Sequence, residues 1–350
     1  MFDDNEINGA LDDTRPEEEK AKDFRMEELV CAPVVEWKEK TQDEWKKYPI
    51  FGQDGSSSCV AQGTCKSLGA NNEREEGLFV TLSRRDFYTR RGNFPGLGMI
   101  GADAANIAVN FGATLDALMP SEGLGEAAMN VTKDRKPSFE KIGQIYRAKN
   151  WVAIPLFDIE AVASVIASGK VPIMFFKFTV AEWDQPVPQI LGTYVNSHHC
   201  IAGVDFTLYK GKKAIIIDDS WGKNRGLNGQ RILTEDWFKK ENNRNTWANY
   251  FEDLQLIASN ELKQPADAAK CYLPTDLSVG VRSDAVAQMQ RCLGYLKDAA
   301  GYLFPLTQAP TGYFGGITRD AVKRFEAKGE LPITGKMAGA TRALFNDLFK

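Results

Sequence analysis

The segment YVNSHHCIAGVDFTLYKGKKAIIIDDSWGKNRGLNGQRIL, residues 194–233, restricts the fold more than any other stretch of the chain. Two strand-like runs, HCIAGVDF and KAIIIDD, are joined by the turn YKGKK, so the pair reads as a hairpin inside an antiparallel sheet. Neighbouring strand residues point to opposite faces, so only one of the adjacent His198 and His199 can look into a given cleft. Asp218 and Asp219 alternate in the same way at the end of the partner run. One His and one Asp on a shared face would make a base and its orienting acid. Ordinary packing also puts a His on a strand and an Asp at its end, and these residues alone fit either case. They are the only two histidines of the chain, which excludes a His-rich zinc or iron site and makes any imidazole-dependent chemistry use one of them.

A second segment, IFGQDGSSSCVAQGTCKSLGA (50–70), pairs a Gly/Ser-rich turn with a run of helical spacing that places Val60, Gly63 or Thr64, and Ser67 or Leu68 along one side. Cys59 stands at the start of that helix. Unpaired backbone N–H groups and the helix dipole favour an anion there, which populates the nucleophilic thiolate. Gln53, six residues earlier, could offer a side-chain N–H to a developing oxyanion beside the N–H of Cys59. An inert cysteine buried at a helix start satisfies the same spacing. The other cysteines, Cys31, Cys65, Cys200, Cys271 and Cys292, form no CxxC pair, so neither a zinc ribbon nor a dense disulfide framework is expected. Cys65 lies about 9 Å of helical rise from Cys59, too far to bridge it, and reads with Cys200 as core.

With 350 residues, 43% apolar and 26% charged, the chain suits two soluble domains. It has no apolar run long enough for a membrane span, and its acidic N-terminus is unlike a secretory signal. Residues 1–31 form an acidic arm; positions 1–30 hold eleven acids against four bases, and the arm is expected to be a solvated, disordered or loosely docked extension. The polar stretch at 258–278, with two prolines, marks a linker at 259–275. Gly96-Leu97-Gly98-Met99-Ile100-Gly101 satisfies GxGxxG, but a charged stretch ending in Pro precedes it instead of a buried strand, so no dinucleotide site is expected.

Taken together, QDGSSSCVAQG, HCIAGVDF and DDSWGKNRGLNG resemble the papain family of cysteine peptidases. APVVEWKEK (32–40) and FDIEAVASVIASGKVPIMFF (157–176) are similar to that family's mature start and to its helix and strand ahead of the histidine. The resemblance spans about 32–258 in the family's order and implies an α+β, two-lobed fold, a helical lobe beside an antiparallel sheet or barrel lobe. It also implies Cys59 as nucleophile, His199 as general base and acid, Asp219 as the orienting residue and Gln53 as the oxyanion donor. Trp221 would shield the Asp–His bond from water, and Gly98 would let a peptide lie against the backbone; these two are the expected substrate-binding residues. The sequence departs from the family in three places. Asp219 replaces an Asn, Val60 replaces a Trp, and Ser56 and the neighbourhood of Gly96 lack the two ends of a disulfide, which fits synthesis in a reducing compartment. A carboxylate at 219 should favour imidazolium more strongly than an amide.

Residues 276–350 carry ten bases against seven acids and three helical runs, DAVAQMQRCLGYL, TRDAVKRFEAK and GATRALFNDLF. Their pattern of Gly280, Val286, Gln290, Leu293, Gly312, Phe314, Gly315, Thr318, Ala321, Val322, Phe325, Gly335 and Thr341 resembles the peptidoglycan-binding-like three-helix module of bacterial and phage wall enzymes. The resemblances imply a cysteine endopeptidase held at a cell wall or other assembly by this module. The alternatives are a structural or virion-associated protein that keeps the fold as a scaffold, and a hydrolase of peptidoglycan stem peptides. The expected partners are a polypeptide or peptidoglycan peptide in the cleft and a wall polymer or assembly partner on 276–350, with no nucleic acid, cofactor or metal. Cytoplasmic synthesis followed by action at a bacterial wall or in a phage particle is the expected setting.

Overall fold

A computed structural model describes residues 8–23, 25–26, 35–76, 79–252, 271–294, 296–298, 301–304 and 310–349. The chain divides into two compact units, Met1–Gln255 and Leu256–Lys350. Most of the expected linker, 259–270, lies outside the described residues.

The first unit is built on a six-stranded sheet in the order β3-β8-β4-β5-β6-β7, with every neighbouring pair antiparallel. Its strands are β3 (Trp151–Ala153), β4 (Ile173–Phe178), β5 (Ser197–Tyr209), β6 (Lys212–Asp218), β7 (Gln230–Thr234) and β8 (Asn245–Phe251). The hairpin expected over 194–233 is β5–β6. Its two turn residues, Lys210 and Gly211, both take left-handed φ values, 51° and 77°, as a two-residue hairpin turn requires. Side-chain alternation gives the sheet two cores. Phe176, Phe178, Ile201, Ile215, Ile217 and Leu233 pack with Trp183 and Trp237 on one side; Val204, Ala214, Ile216 and Ile232 pack with Trp45 on the other.

Counting helices of eight residues or more, this unit has α1 (Cys59–Glu76), α2 (Gly101–Asn110), α3 (Pro137–Ile145) and α4 (Ile159–Ala167). The helix expected from Cys59 is α1, but its single apolar side is not what the structure shows. Every residue from Ser56 to Asn72 is buried, so the helix is enclosed all round. Several of its polar side chains have partners, which offsets part of the cost of burying them. Lys66 Nζ lies 2.6 Å from Asp218, Ser67 Oγ donates to Val171 O at 2.6 Å, and Arg84 Nε donates to Gln62 Oε1 at 3.1 Å. Gly63 lets α1 approach the sheet, since a Cβ there would meet Cys200 Sγ at 3.1 Å.

The acidic arm departs from the solvated reading. Ala10–Leu11 form β1, paired in parallel with β2 (Met99–Ile100), and both Gly9 and Ala10 are buried. Composition pointed to solvent because the charges of the arm outnumber its apolar residues. Among the described residues of the arm, burial is instead confined to a short Gly-Ala step, while Asp12 reaches Lys177 at 2.7 Å and Arg15 bridges Asp13 and Asp23 at 2.8 and 2.6 Å.

The second unit contains α5 (Asp284–Leu293), α6 (Gly316–Lys328) and α7 (Gly339–Leu348), at the three runs read as helical. Val286, Leu293, Phe314, Ala321, Val322 and Phe325 form its buried interior. Two buried polar side chains tie its loops to its helices. Gln290 accepts from Gly312 N at 3.1 Å and donates to Thr318 Oγ1 at 2.7 Å; Glu326 accepts from Gly335 N at 2.7 Å and Thr341 Oγ1 at 3.0 Å. Most of the residues carrying the resemblance of this module thus serve packing and turns. Among the described residues no helix is long and apolar enough to cross a membrane.

Candidate active site

Three elements converge at the head of α1. The first residue of the helix is Cys59, with no exposed surface. His199 comes from β5, opposite Phe176 of β4, and is fully buried as well. Asp219 follows the last residue of β6 and lies on the face of Ile217, which is also the face of His199. His199 Nε2 and Asp219 Oδ1 are 2.8 Å apart. The second ring nitrogen, Nδ1, has no well-formed hydrogen bond among the described residues and lies within electrostatic reach of Cys59. His198 points away from this cluster, with Nε2 at 2.7 Å from Thr246 Oγ1 and Nδ1 at 3.8 Å from Asp12.

Electrostatics separates the two histidines. Burial lowers His198 to about 4, because the positive ring loses water there without a close counter-charge sufficient to offset the loss. Burial acts on His199 too, but the charges of Asp219 and Cys59 overcome it and raise the imidazole to about 9. Asp219 loses solvation by burial, yet Arg231 and His199 hold its carboxyl far below the usual carboxylate range. Cys65 and Cys200 are fully buried thiols whose pKa values burial pushes up, which keeps them unreactive.

Gln53 sits beside this cluster, buried, with its backbone N–H bonded to Ser220 O at 2.8 Å. Its side chain accepts from Ser220 Oγ at 2.6 Å and donates to Ser56 O at 2.6 Å, which orients the amide at the turn ahead of Cys59. Trp221 lies against His199, ring centroids 5.1 Å apart, and edge-on to Phe178. Gly98 has φ +70°, and a Cβ there would meet Gly9 O at 2.8 Å. The occupant of that surface in this structure is the chain's own arm. Met99 N donates to Gly9 O at 2.9 Å, and a Cβ on Gly9 would stand 2.6 Å from Cys59 Sγ. The arm therefore runs directly across the thiol.

The structure thus brings Cys59, His199, Asp219, Gln53 and Trp221 together, with Gly98 on the arm-covered edge. Sequence reading missed four participants. Trp183 Nε1 and Arg231 Nε both donate to Asp219 Oδ2, at 2.9 and 2.7 Å. Ser220 holds Gln53, and Gly9 covers Cys59. Arg231 could be placed beside Asp219 only through the β6–β7 register, in which it stands opposite Ile217. No cluster of His, Cys, Asp and Glu that could hold a metal is present among the described residues.

Solved structures share the fold over most of the chain. Xylellain, a cysteine protease from Xylella fastidiosa, superposes with a TM-score of 0.59 at 14% identity, covering 72% of this chain and 97% of its own. The fold is that of the papain-like cysteine proteases. The digestive procathepsin L2 proteinase of Tenebrio molitor larval midgut gives a TM-score of 0.57 at 15% identity, over 71% of this chain and 79% of its own. The ragweed pollen allergen Amb a 11 cysteine protease, in its proform, gives 0.52 at 16% identity, over 71% and 75%. Residues 282–344 match the family described as "Putative peptidoglycan binding domain". No significant match to a curated protein sequence was found. The papain-like fold accounts for the two-lobed expectation, with α1 in the helical lobe and the β3–β8 sheet in the other.

Proposed function

We propose that this protein is a cysteine peptidase whose nucleophile is Cys59 and whose C-terminal module docks it on a cell-wall polymer. The observation that carries the reading is the His199–Asp219 pair, 2.8 Å apart and buried, facing a cysteine at a helix N-terminus. Ordinary core packing has no need for a raised imidazole beside such a thiol.

In the proposed reaction the proton of Cys59 resides on His199, leaving a thiolate that attacks the carbonyl carbon of the scissile bond. The N–H of Cys59 and an N–H of Gln53 Nε2 stabilise the oxyanion. His199 then gives its proton to the leaving amine, the C–N bond breaks, and a thioester to Cys59 remains. Water, deprotonated by His199, attacks the thioester and releases the acid. Asp219 holds the imidazole in the required orientation and stabilises its charged form. The arm over Cys59 makes the conformation described here a resting one, in which no substrate carbonyl can reach the sulfur.

The substrate is a polypeptide or the stem peptide of peptidoglycan, two substrates that the same chemistry would cut. The match over 282–344 supports a wall polymer as the ligand of the module and the wall as the place of action. A thiol-directed epoxide probe tests the reading. A chain lacking residues 1–26 is expected to be labelled at Cys59, and Cys59→Ala and His199→Ala to abolish or strongly slow the labelling. Incubation with casein and with purified cell walls then separates the two substrates. Cys59-independent labelling, or none at neutral pH, would leave only a scaffold role for the fold.

A further inference from the structure

We propose that Arg231 is a positioning residue that neutralises Asp219, so that the buried Asp219–Arg231 pair serves beside His199 where the papain family uses a neutral amide. The proposal rests on the reading of His199 as the base of the site. An aspartate at this position brings a full negative charge into a place with no solvent. Both side chains are buried, at 1% exposure for Asp219 and none for Arg231. An uncompensated charge there would be strongly destabilising.

The geometry shows how the compensation is arranged. Arg231 Nε donates to Asp219 Oδ2 at 2.7 Å, and its Nη1 donates to Gln185 O at 2.9 Å. The guanidinium lies 5.7 Å from the Trp183 ring and 5.4 Å from the Trp221 ring, so its faces meet aromatic surface instead of water. Trp183 Nε1 donates to the same Oδ2. Two donors thus occupy one carboxylate oxygen and present the other, Oδ1, to His199. The carboxylate cannot rotate without giving up one of these bonds, which fixes the imidazole plane. The charge of Arg231 at the same time offsets part of the pull that a lone carboxylate would exert on the imidazolium.

The groups facing His199 are few. Asp219 comes from the end of β6, Cys59 from α1, Arg231 through Asp219 from β7, and His198 is the preceding residue on β5; Lys66, paired with Asp218, lies within electrostatic reach of Asp219. Because the chain has only two histidines, their titration in the full-length protein can be followed by NMR with labelled histidine, His198→Gln assigning the signals.

D219N leaves Arg231 buried without a counter-charge and is expected to lower the His199 midpoint by about one to three pH units. R231M leaves Asp219 less compensated and is expected to raise it. The double variant D219N/R231M carries neither charge, so its midpoint should fall between those of D219N and the wild type, and it should melt above either single variant. An unchanged His199 midpoint in R231M, or a double variant that melts below both singles, would overturn the proposal. If R231M alone fails to fold, restoration of a folded chain by adding D219N supports it and failure of that rescue refutes it. Loss of the peptidase reading would show separately, as absent Cys59-dependent labelling in the arm-deleted wild type, without altering these titration shifts.

Discussion

The arm over Cys59 gives the sharpest prediction. In Gly9→Ala, the new Cβ would stand 2.6 Å from both Cys59 Sγ and Ser57 O, against an ordinary contact of 3.4–4 Å. The Ser57 carbonyl is backbone at the turn that leads into α1 and cannot swing aside as a side-chain tip could. Relief therefore requires β1 to retreat by about 0.8 Å, at the expense of the 2.9 Å bond from Met99 N to Gly9 O. Overpacking of this kind costs about 1–3 kcal/mol. Applied to the balance between docked and undocked arm, it is a factor of about 5–150 in the undocked population. The assay is the second-order rate of Cys59 alkylation in the full-length chain, read by mass spectrometry, with Cys59→Ala as the blank and the chain lacking residues 1–26 as the upper limit. Gly9→Ala is expected to be alkylated about 5–150-fold faster than the wild type, up to that limit. Equal rates in all three chains that retain Cys59 would show that the arm does not govern access to the thiol, and the reasoning would be wrong.

Two further outcomes follow from charges the fold encloses. Lys66→Met should strand Asp218, whose partner Lys66 lies 2.6 Å away with both side chains buried; a loss of about 3–5 kcal/mol is expected, and Lys66→Met/Asp218→Asn should recover part of it in denaturant unfolding. The pH dependence of stability has a sign set by His199. Its folded pKa, raised to about 9, exceeds the ordinary imidazole value of 6.5, so this contribution is complete below about 6.5 and is lost as pH rises through about 9. The melting temperature should fall over that interval, and the fall should be much smaller in His199→Gln.

Periodicity and turn chemistry made several elements legible in the sequence. The β5–β6 hairpin could be read because Lys210-Gly211 separates two apolar runs at a tight turn, and α1 because a Gly/Ser turn precedes a helical run. Alternation along one strand was enough to send His198 and His199 to different surroundings. The three helices of the second unit were likewise read from local pattern, since each buries an amphipathic face against its neighbours. What the sequence by itself determined was therefore the local conformation and the parity of side chains along each element.

Tertiary structure decided everything that depends on which elements meet. Arg231 and Asp219 are twelve positions apart, and their pairing exists only in the β6–β7 register. Trp183 reaches the same carboxylate from a separate segment. The enclosure of α1 leaves Lys66, Ser67 and Gln62 buried and partnered, which helical spacing alone does not show. The docking of the arm depends on the same kind of contact. Its charges describe a solvated chain, whereas two small residues, Gly9 and Ala10, suffice to dock it where Met99 and Cys59 wait across about ninety and fifty residues of chain. Local sequence fixes dihedral preference and periodicity; contact between distant segments depends on the shape that the whole chain closes around, and composition does not encode that shape.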